Sequence, residues 1–410
     1  MRMNILLINH YAGSPNYGME FRPYYLAREW VKQGHQVTII GSSYSHLRQL
    51  NPEVKCDFQE DNIEGIKYVW FKTPRYAGAL ARIRNILSFT RKLLCNIKII
   101  ATRYSPDLVV ASSTYTLDNI PAYKIAKTAG AQYTYEIHDL WPLSPMLIGG
   151  YSKFHPFILA MQWGENYAYK HVDKVVSLLW NAEEHCKKHG LPDGRFVCVP
   201  NGYDPEEWNP DAFVRDLPSA HSILFNDLKD RIIIGFAGGF AASGALMTFL
   251  GAADLLKERN NLHFILVGKG PEEESLQRYV ANNRLNNVSF LPAVPKALIP
   301  SLISNFDIAY MGGIHSLLHQ YGTSYNKLTD YLLSAKPIVQ AIDEPGSVVE
   351  RLGCGIRVEA ENADLVAKAI IKIASLSAEE RQEMGNKGRA YAQQNLKWQT
   401  LANKFIDSFR

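Results

Sequence analysis

Apolar and polar positions along the chain repeat one pattern: a short apolar run, a loop, then apolar residues at three-to-four spacing. The first round opens with Asn4–Asn9, a run suited to a buried parallel strand, and continues through a Gly/Pro/Asn loop from Gly13 to Gly18. Pro23, Leu26, Ala27, Trp30 and Val31 then mark one helix face, which Gly34 ends as a C-cap. Val37–Ile40 is the next predicted strand. Leu108–Ala111, Tyr133–Ile137 and Val175–Leu179 follow it, alternating with helical patterns, and such alternation predicts βαβ units on a parallel sheet.

The same opening returns at mid-chain. Ile232–Ala237 reads as a strand, Gly238–Gly244 as a Gly-rich turn, and Leu246, Phe249, Leu250, Ala253 and Leu256 as a helix face. Further strands are predicted at Leu262–Val267, Val288–Leu291, Ile308–Met311 and Ile338–Ala341. The fold class is therefore α/β, with two tandem doubly wound, Rossmann-like domains. At ~150 residues per domain the length allows two or three. Pro200, Pro205, Pro210 and Pro218 interrupt regular structure between Asn201 and Asp230, which places the domains at residues 1–205 and 206–393. A Ser377-x-x-Glu380 capping box opens a helical C-terminal stretch.

Composition removes several classes. With 47% hydrophobic and 20% charged residues the chain is an ordinary globular protein, not a disordered, collagen-like or small disulfide-stapled one. A net charge of +4 says little about partners. Five cysteines, an odd count without a C-x-x-C pair, fit a reducing compartment. The Ile5–Ile8 run is too short for a signal-peptide core. Ile232–Leu256 carries a single charge, Asp254, and has the length of a membrane span, but five glycines break it. A soluble cytoplasmic protein is expected.

Candidate chemistry sits at strand ends. The two Gly-rich turns bring backbone N–H groups and a helix N-terminus to one point, which suits phosphate; the plain alternative is tight packing. Neither matches G-x-G-x-x-G, so the dinucleotide fingerprint is absent. Their duplication suggests crevices at the carboxyl ends of two sheets, opening on one cleft. His138 and Asp139 follow a predicted strand, where an imidazole can take a proton or bind a sugar hydroxyl; an Asp N-cap beside a satisfied histidine is the alternative. Trp141 reads as a sugar platform or as core. Lys327 lies in the first turn of a predicted helix, an unfavourable place for a cation unless an anion is bound, with Asp330 one turn on; a solvated lysine is the alternative.

From Gly65 to Pro106 the chain holds nine Lys/Arg, from Lys67 to Arg103, and no Asp or Glu. Leu80, Ile83, Leu87, Leu94, Ile97 and Ile100–Ala101 lie among them at roughly helical spacing. A basic amphipathic helix favours an anionic membrane surface or a pyrophosphate-linked acceptor, against a solvated face. No nucleic-acid motif occurs, and nucleic acid is not an expected partner. His185-Cys186-x-x-His189 and His315-x-x-x-His319 pair histidines on helix faces without a third ligand of obvious spacing, so no metal is expected. No G-x-S-x-G elbow occurs.

Taken in order, these segments resemble the GT-B glycosyltransferases, and among them the retaining family 4. Gly34-His35-Gln36-Val37 resembles that family's GH-x-V segment, and Pro200-Asn201-Gly202-Tyr203-Asp204 its PNG-x-D signature. Val267-Gly268-Lys269-Gly270-Pro271 resembles its G-x-G-P turn, and Ser324–Tyr331 with Ala335-Lys336-Pro337 its donor-site helix. The string Glu136…His138-Asp139-Leu140-Trp141-Pro142 is similar to a subgroup acting in bacterial surface-polysaccharide assembly.

The resemblance implies a nucleoside-diphosphate sugar as donor, bound by the C-terminal domain, and no metal or other cofactor. It implies a saccharide or polyprenyl-linked saccharide acceptor on the N-terminal domain, with the last helix, about 394–410, packing back there. Gly238, Gly239 and Lys327 would meet the diphosphate, and Asp330, Asn326 and Tyr325 the ribose and sugar. Gly268, Gly270, Ala293 and Val294 would lie near the base, and Tyr17, Gly18 and Arg22 near the acceptor. His138 and Asp139 would be catalytic, His138 near the reacting carbon. The enzyme would be cytoplasmic, peripheral on the inner membrane face through residues 67–103. Two departures from the family stand out. Gly238 to Leu250 contains no charge where many members carry an Arg and a Lys, and the positions of two glutamates eight apart read Gly322 and Asp330. A nucleotide-sugar epimerase of the same fold and a catalytically silent nucleotide-sugar-binding or scaffold protein are the alternative functions.

Overall fold

In a computed structural model describing residues 2–410, the apolar run at the N-terminus becomes the central strand of an eight-stranded sheet. Its strands are β1 (Asn4–Ile8), β2 (Gln36–Ser42), β3 (Gln59–Ile63), β4 (Ile66–Phe71), β5 (Leu108–Ala111), β6 (Gln132–Ile137), β7 (Lys174–Ser177) and β8 (Phe196–Cys198). The order is β3-β4-β2-β1-β5-β6-β7-β8, parallel throughout except for the β3–β4 hairpin. Ile5 lies in register with Val37 on one side and Leu108 on the other. The chain winds outward through β2 and β4, returns to β5, and winds the other way. The switch point between β1 and β5 therefore opens at their C-terminal ends, where open α/β sheets bind ligands.

A second sheet repeats the plan. It holds β9 (Ile232–Ala237), β10 (Leu262–Val267), β11 (Val288–Leu291), β12 (Ile308–Gly312), β13 (Ile338–Ala341) and β14 (Gly355–Val358), all parallel, ordered β11-β10-β9-β12-β13-β14. Its switch point lies between β9 and β12. Helices on both faces bury separate cores, one around Leu302, Tyr331 and Ile338 and one around Phe249, Phe264 and Ile370.

The chain divides into two units: the residues up to Pro200 with Trp398–Arg410, and Asn201–Lys397. The boundary falls five residues before the expected 205/206 because Asn201 and Tyr203 bond into the second unit, to Ser324 Oγ (2.9 Å) and Leu396 O (2.9 Å). The C-terminal helix begins at Trp398 rather than near 394, since the capping-box helix runs on to Asn395. It lies against the Arg22–Lys32 helix: Trp398 stacks on Tyr25 at 5.2 Å, and Trp30 Nε1 donates to Ala402 O at 3.1 Å.

The basic tract forms β4 and then two helices, Ala79–Cys95 and Ile97–Tyr104. Of the apolar line in the tract, Ile100 and Ala101 are buried. Ile86, Phe89 and Leu93 are buried, whereas Leu80 is 84% and Leu87 52% exposed. Part of the charge is also compensated from outside the tract: Lys92 pairs with Asp57 (2.7 Å), and Arg103 (2.9 Å) and Lys67 (3.7 Å) with Glu60. No described helix is long and apolar enough to cross a membrane.

Candidate active site

The β9 turn begins at Gly238, with φ of 153°, and its N–H bonds Val267 O at 2.9 Å. The β10 turn repeats the conformation at Gly268, whose φ is 154° and where any Cβ would strike the Gly238 carbonyl. Gly268 must be glycine for the two backbones to meet, and Gly238 for its φ and for the room it leaves Lys327. The two turns line a cavity of about 300 Å³ with Gly239, Lys269, Ala293 and Val294, so four of the residues expected near diphosphate and base come together with Gly238. Gly270 does not line it; it abuts the Phe240 backbone and shapes the turn.

Lys327 reaches this place from the first turn of the Asn326–Leu333 helix. Its Nζ would lie 3.1 Å from a Cβ on Gly238 and sits 4.2 Å from the centre of the Phe236 ring. Among the described residues no carboxylate forms an ion pair with it, and burial pushes its pKa down to about 8, against the pull of Asp330. Burial raises the Asp330 carboxyl to about 7. A largely desolvated ammonium at a glycine turn can be stabilised by a bound anion. Asn326 is exposed at the helix start, and Tyr325, also exposed, contacts His319 Nε2 through its hydroxyl at 3.3 Å.

Two residues that sequence reasoning did not select hold the loop before this helix. Buried Glu344 accepts from Thr323 N (2.8 Å), Thr323 Oγ1 (2.7 Å) and Gln340 Nε2 (2.7 Å). Asn201 of the PNG segment grips Ser324 from the other side, Nδ2 donating to Ser324 O at 3.1 Å. The isolated Glu344 gave no periodic or motif signal, and its partners are known only from the fold.

In the first unit the C-terminal ends of β1, β5 and β6 meet in a polar network. Glu136 is fully buried and divides its carboxylate: Oε1 accepts from Arg22 (3.0 Å), and Oε2 accepts from Ser112 Oγ (2.6 Å) and lies 3.2 Å from His138 Nε2. Asn9 Nδ2 fixes Ser112 through its carbonyl at 2.7 Å. Burial alone would raise the Glu136 pKa, but Arg22, His138 and Ser112 outweigh it and hold the carboxyl at about 2. With the Ser112 proton committed to Glu136, His138 Nε2 faces only acceptor oxygens and carries a proton toward them.

The other expected residues of this unit fare differently. Asp139 Oδ1 accepts from Leu140 N (2.9 Å) and Ser144 Oγ (2.6 Å), but the N-cap of the helix that follows, Leu143–Leu147, is Pro142. Arg22 is buried, its Nη groups donating to Val199 O (2.7 Å) and Pro200 O (2.8 Å), so it supports the network from behind and offers no surface to an acceptor. Tyr17 donates to Asp61 at 2.8 Å, and Gly18 closes a turn on Ser14 at 2.8 Å; the structure does not gather these three residues. Trp141 packs edge-on against Phe157 at 6.0 Å and also lines a cavity. The third ligand absent from the histidine spacing is supplied by the fold: Glu165 joins His185 and His189, with His185 Nε2 at 2.8 Å. Its carboxylate is already taken by Tyr169 (2.9 Å) and Gln162 (2.7 Å). His315 instead pairs with Asp343 at 2.7 Å.

Residues 17–202 match the glycosyl transferase 4-like domain family, and residues 231–375 match the glycosyl transferases group 1 family. With both units matched, the chain belongs to the glycosyltransferases, and its fold is GT-B. HepE of Anabaena, solved with UDP and glucose, is 16% identical with a TM-score of 0.66 over 100% of this chain and 99% of that one. Sucrose-phosphate synthase of Thermosynechococcus elongatus gives 15% and 0.71, covering 100% and 98%. An α,α-trehalose-phosphate synthase (UDP-forming) of Burkholderia vietnamiensis gives 12% and 0.73, covering 100% and 97%. No curated protein matches the chain.

Proposed function

We propose that this glycosyltransferase takes a sugar from a nucleoside-diphosphate donor, with retention and without a metal, and passes it to a saccharide or lipid-linked saccharide acceptor in cell-surface polysaccharide synthesis. The observation that carries the reading is Lys327, a buried ammonium without a carboxylate partner, placed at the Gly238 turn. A diphosphate there supplies the missing counter-charge, and as it leaves, Lys327 stabilises the charge that develops. The leaving phosphate oxygen takes the acceptor hydroxyl's proton while the acceptor oxygen bonds the anomeric carbon on the same face, so the chain chiefly positions groups. His138 contacts the donor sugar, and Asp330 the ribose. The remaining exposed cations of residues 67–103 dock the enzyme at an anionic membrane surface. HepE, a solved structure of the same fold that holds UDP, makes uridine the first base to test.

Thermal shifts with UDP, GDP, ADP, CDP and dTDP, each with and without chelator, test the donor site. Ligand at a hundred times its Kd adds about 2.7 kcal/mol, which raises Tm by roughly a degree or more. UDP shifting the melt irrespective of chelator is the expected result; silence from all five overturns the reading. The uncharged Gly238–Leu250 segment favours a second reading, a silent sugar-nucleotide binder, which predicts the same shift with neither transfer nor slow donor hydrolysis.

A further inference from the structure

Away from the donor chemistry, the first unit gathers two histidines and a glutamate where the Pro156–His171 helix meets the chain that follows β7. That helix turns Gln162, Glu165, Asn166 and Tyr169 to one side, at steps of three and four residues. The short Glu183–Lys188 helix carries His185, and His189, its C-cap residue, follows at i+4. The two rings lie 4.5 Å apart, centre to centre, tilted by 41°. A donor atom from each of Glu165, His185 and His189 lies within 4.8 Å of the other two. Around a tetrahedral ion with bonds of ~2.0–2.1 Å the ligand atoms stand about 3.3 Å apart, so small side-chain rotations close this set. His185 Nε2 and Glu165 Oε1 are nearer, at 2.8 Å, because a proton joins them; an ion takes that proton's place.

Three features go beyond a packed histidine–carboxylate pair. The set is buried on one side and open on the other: Glu165 is 1% and His185 6% exposed, whereas His189 is half-buried and Asn166 exposed. An ion can enter there, and water can take a fourth position. Lone pairs also converge. Gln162 Nε2 lies 2.7 Å from Glu165 Oε2, 2.8 Å from Asn166 Oδ1 and 3.1 Å from His189 Nδ1. One amide nitrogen brings two protons to three acceptors. Without an ion the set is complete only when His189 holds its own proton on Nδ1, toward Asn166 Oδ1 at 3.3 Å. Finally, the carboxylate is steered from behind. The buried Tyr169 hydroxyl donates to Oε1 at 2.9 Å and Gln162 to Oε2, as the outer partners of a ligating carboxylate do. These bonds leave lone pairs on both oxygens, since a carboxylate accepts at about four positions.

We infer that Glu165, His185 and His189 bind a divalent first-row metal ion, zinc by preference, which clips the Glu183–Lys188 helix to the Pro156–His171 helix. Two imidazoles and one carboxylate suit zinc, whereas magnesium and calcium take oxygen ligands. The ion is structural. None of its ligands belongs to the donor turns or to the His138 network, so the assignment stands apart from the transferase reading and from metal-free transfer. Histidine spacing alone could not show the site, because Glu165 lies 20 positions before His185 on a different helix.

Zinc chloride titrated into the untagged full chain, stripped beforehand with chelator, tests the site by calorimetry, melting and X-ray absorption. One zinc per chain should bind, and at a hundred times its Kd should raise Tm by at least about 2 °C. Absorption should show nitrogen and oxygen neighbours at ~2.0–2.1 Å and no sulfur at ~2.3 Å, a distinction needed because Cys56 and Cys95 are exposed. His189→Gln, at a half-buried position that the fold tolerates, should weaken zinc at least ~100-fold, and Tyr169→Phe, which removes only an outer bond, about 10-fold. His315→Gln, in the other unit, should change it less than about twofold. Silence in both calorimetry and melting, sulfur neighbours, or unchanged affinity in His189→Gln overturns the assignment. Chelator should lower the starting Tm yet leave the UDP-induced shift intact. A UDP shift that vanishes with chelator overturns the structural role, and zinc binding without any UDP shift leaves the clip standing while the donor reading falls.

Discussion

His138 turns its Nε2 toward Oε2 of Glu136, 3.2 Å away, so the candidate catalytic imidazole rests on a carboxylate whose pKa is held down at about 2. Removing that charge while keeping its size should separate positioning from binding. Glu136→Gln is expected to lower transfer at least ~10-fold, a barrier change of about 1.4 kcal/mol, with UDP affinity unchanged. His138→Ala should do the same. Nitrogen chemical shifts of the ring should report the Nε2–H tautomer in the wild type and a mixture in Glu136→Gln; a mixture already in the wild type would disprove the fixed tautomer.

Arg22 sets a stability prediction. Its loss strands Glu136 as a buried charge, so Arg22→Met should cost about 3–5 kcal/mol, while the double variant Arg22→Met/Glu136→Leu should recover much of it. The pH dependence follows from the sign of the shift. Glu136 is depressed from 4.5 to about 2 in the fold, so its contribution is present above the ordinary value and is lost as pH falls from about 5 toward 2. Denaturant melts between pH 6 and 3 should show a loss of roughly 2 kcal/mol that is missing in Glu136→Gln.

Lys327 makes nucleotide binding depend on pH in a definite direction. Its free-state pKa is about 8, and a bound diphosphate raises it. Affinity should fall as pH climbs from about 8 to 10, with proton uptake on binding in that range that varies with buffer in calorimetry. Lys327→Met should abolish the proton uptake and weaken UDP at least ~10-fold. A pH-independent affinity in the wild type would remove Lys327 from the site.

Much of this architecture was legible because buried parallel strands are written as apolar runs. Ile232–Ala237, Leu262–Val267, Val288–Leu291, Ile338–Ala341 and Leu108–Ala111 stand at the bounds the pattern predicts. The strands it missed lie toward the sheet edges. Gln59–Ile63 is largely polar, Phe196–Cys198 has three residues, and Gly355–Val358 is half-buried, so none has the apolar continuity that marks a central strand. Ile66–Phe71 was hidden by Lys67 and by its place at the head of the basic tract. In that tract the spacing marked the helices but not the residues that anchor them: the core took Ile86, Phe89 and Leu93, and left Leu80 and Leu87 outside.

The site divides in the same way. Gly238, Gly268 and Lys327 were visible because a left-handed glycine after a strand and a lysine in a helix's first turn each violate a local rule. Glu344, Ser112 and Asn9 violate none; their roles arise from partners distant in sequence, such as the 103 positions between Asn9 and Ser112. Arg22 was seen but misread, since nothing local distinguishes a buried arginine from one facing a ligand.

The return of Trp398–Asp407 to the Arg22–Lys32 helix has a consequence for biogenesis. On the ribosome the second unit, continuous in sequence, can complete its core as soon as Lys397 clears the exit tunnel. The first unit, although made earlier, keeps the faces of Tyr25 and Trp30 uncovered until Trp398–Arg410 emerge. The half of the enzyme whose synthesis starts first is thus the half that closes its core later, and a nascent chain stalled before Trp398 exposes an aromatic surface for chaperones to recognise.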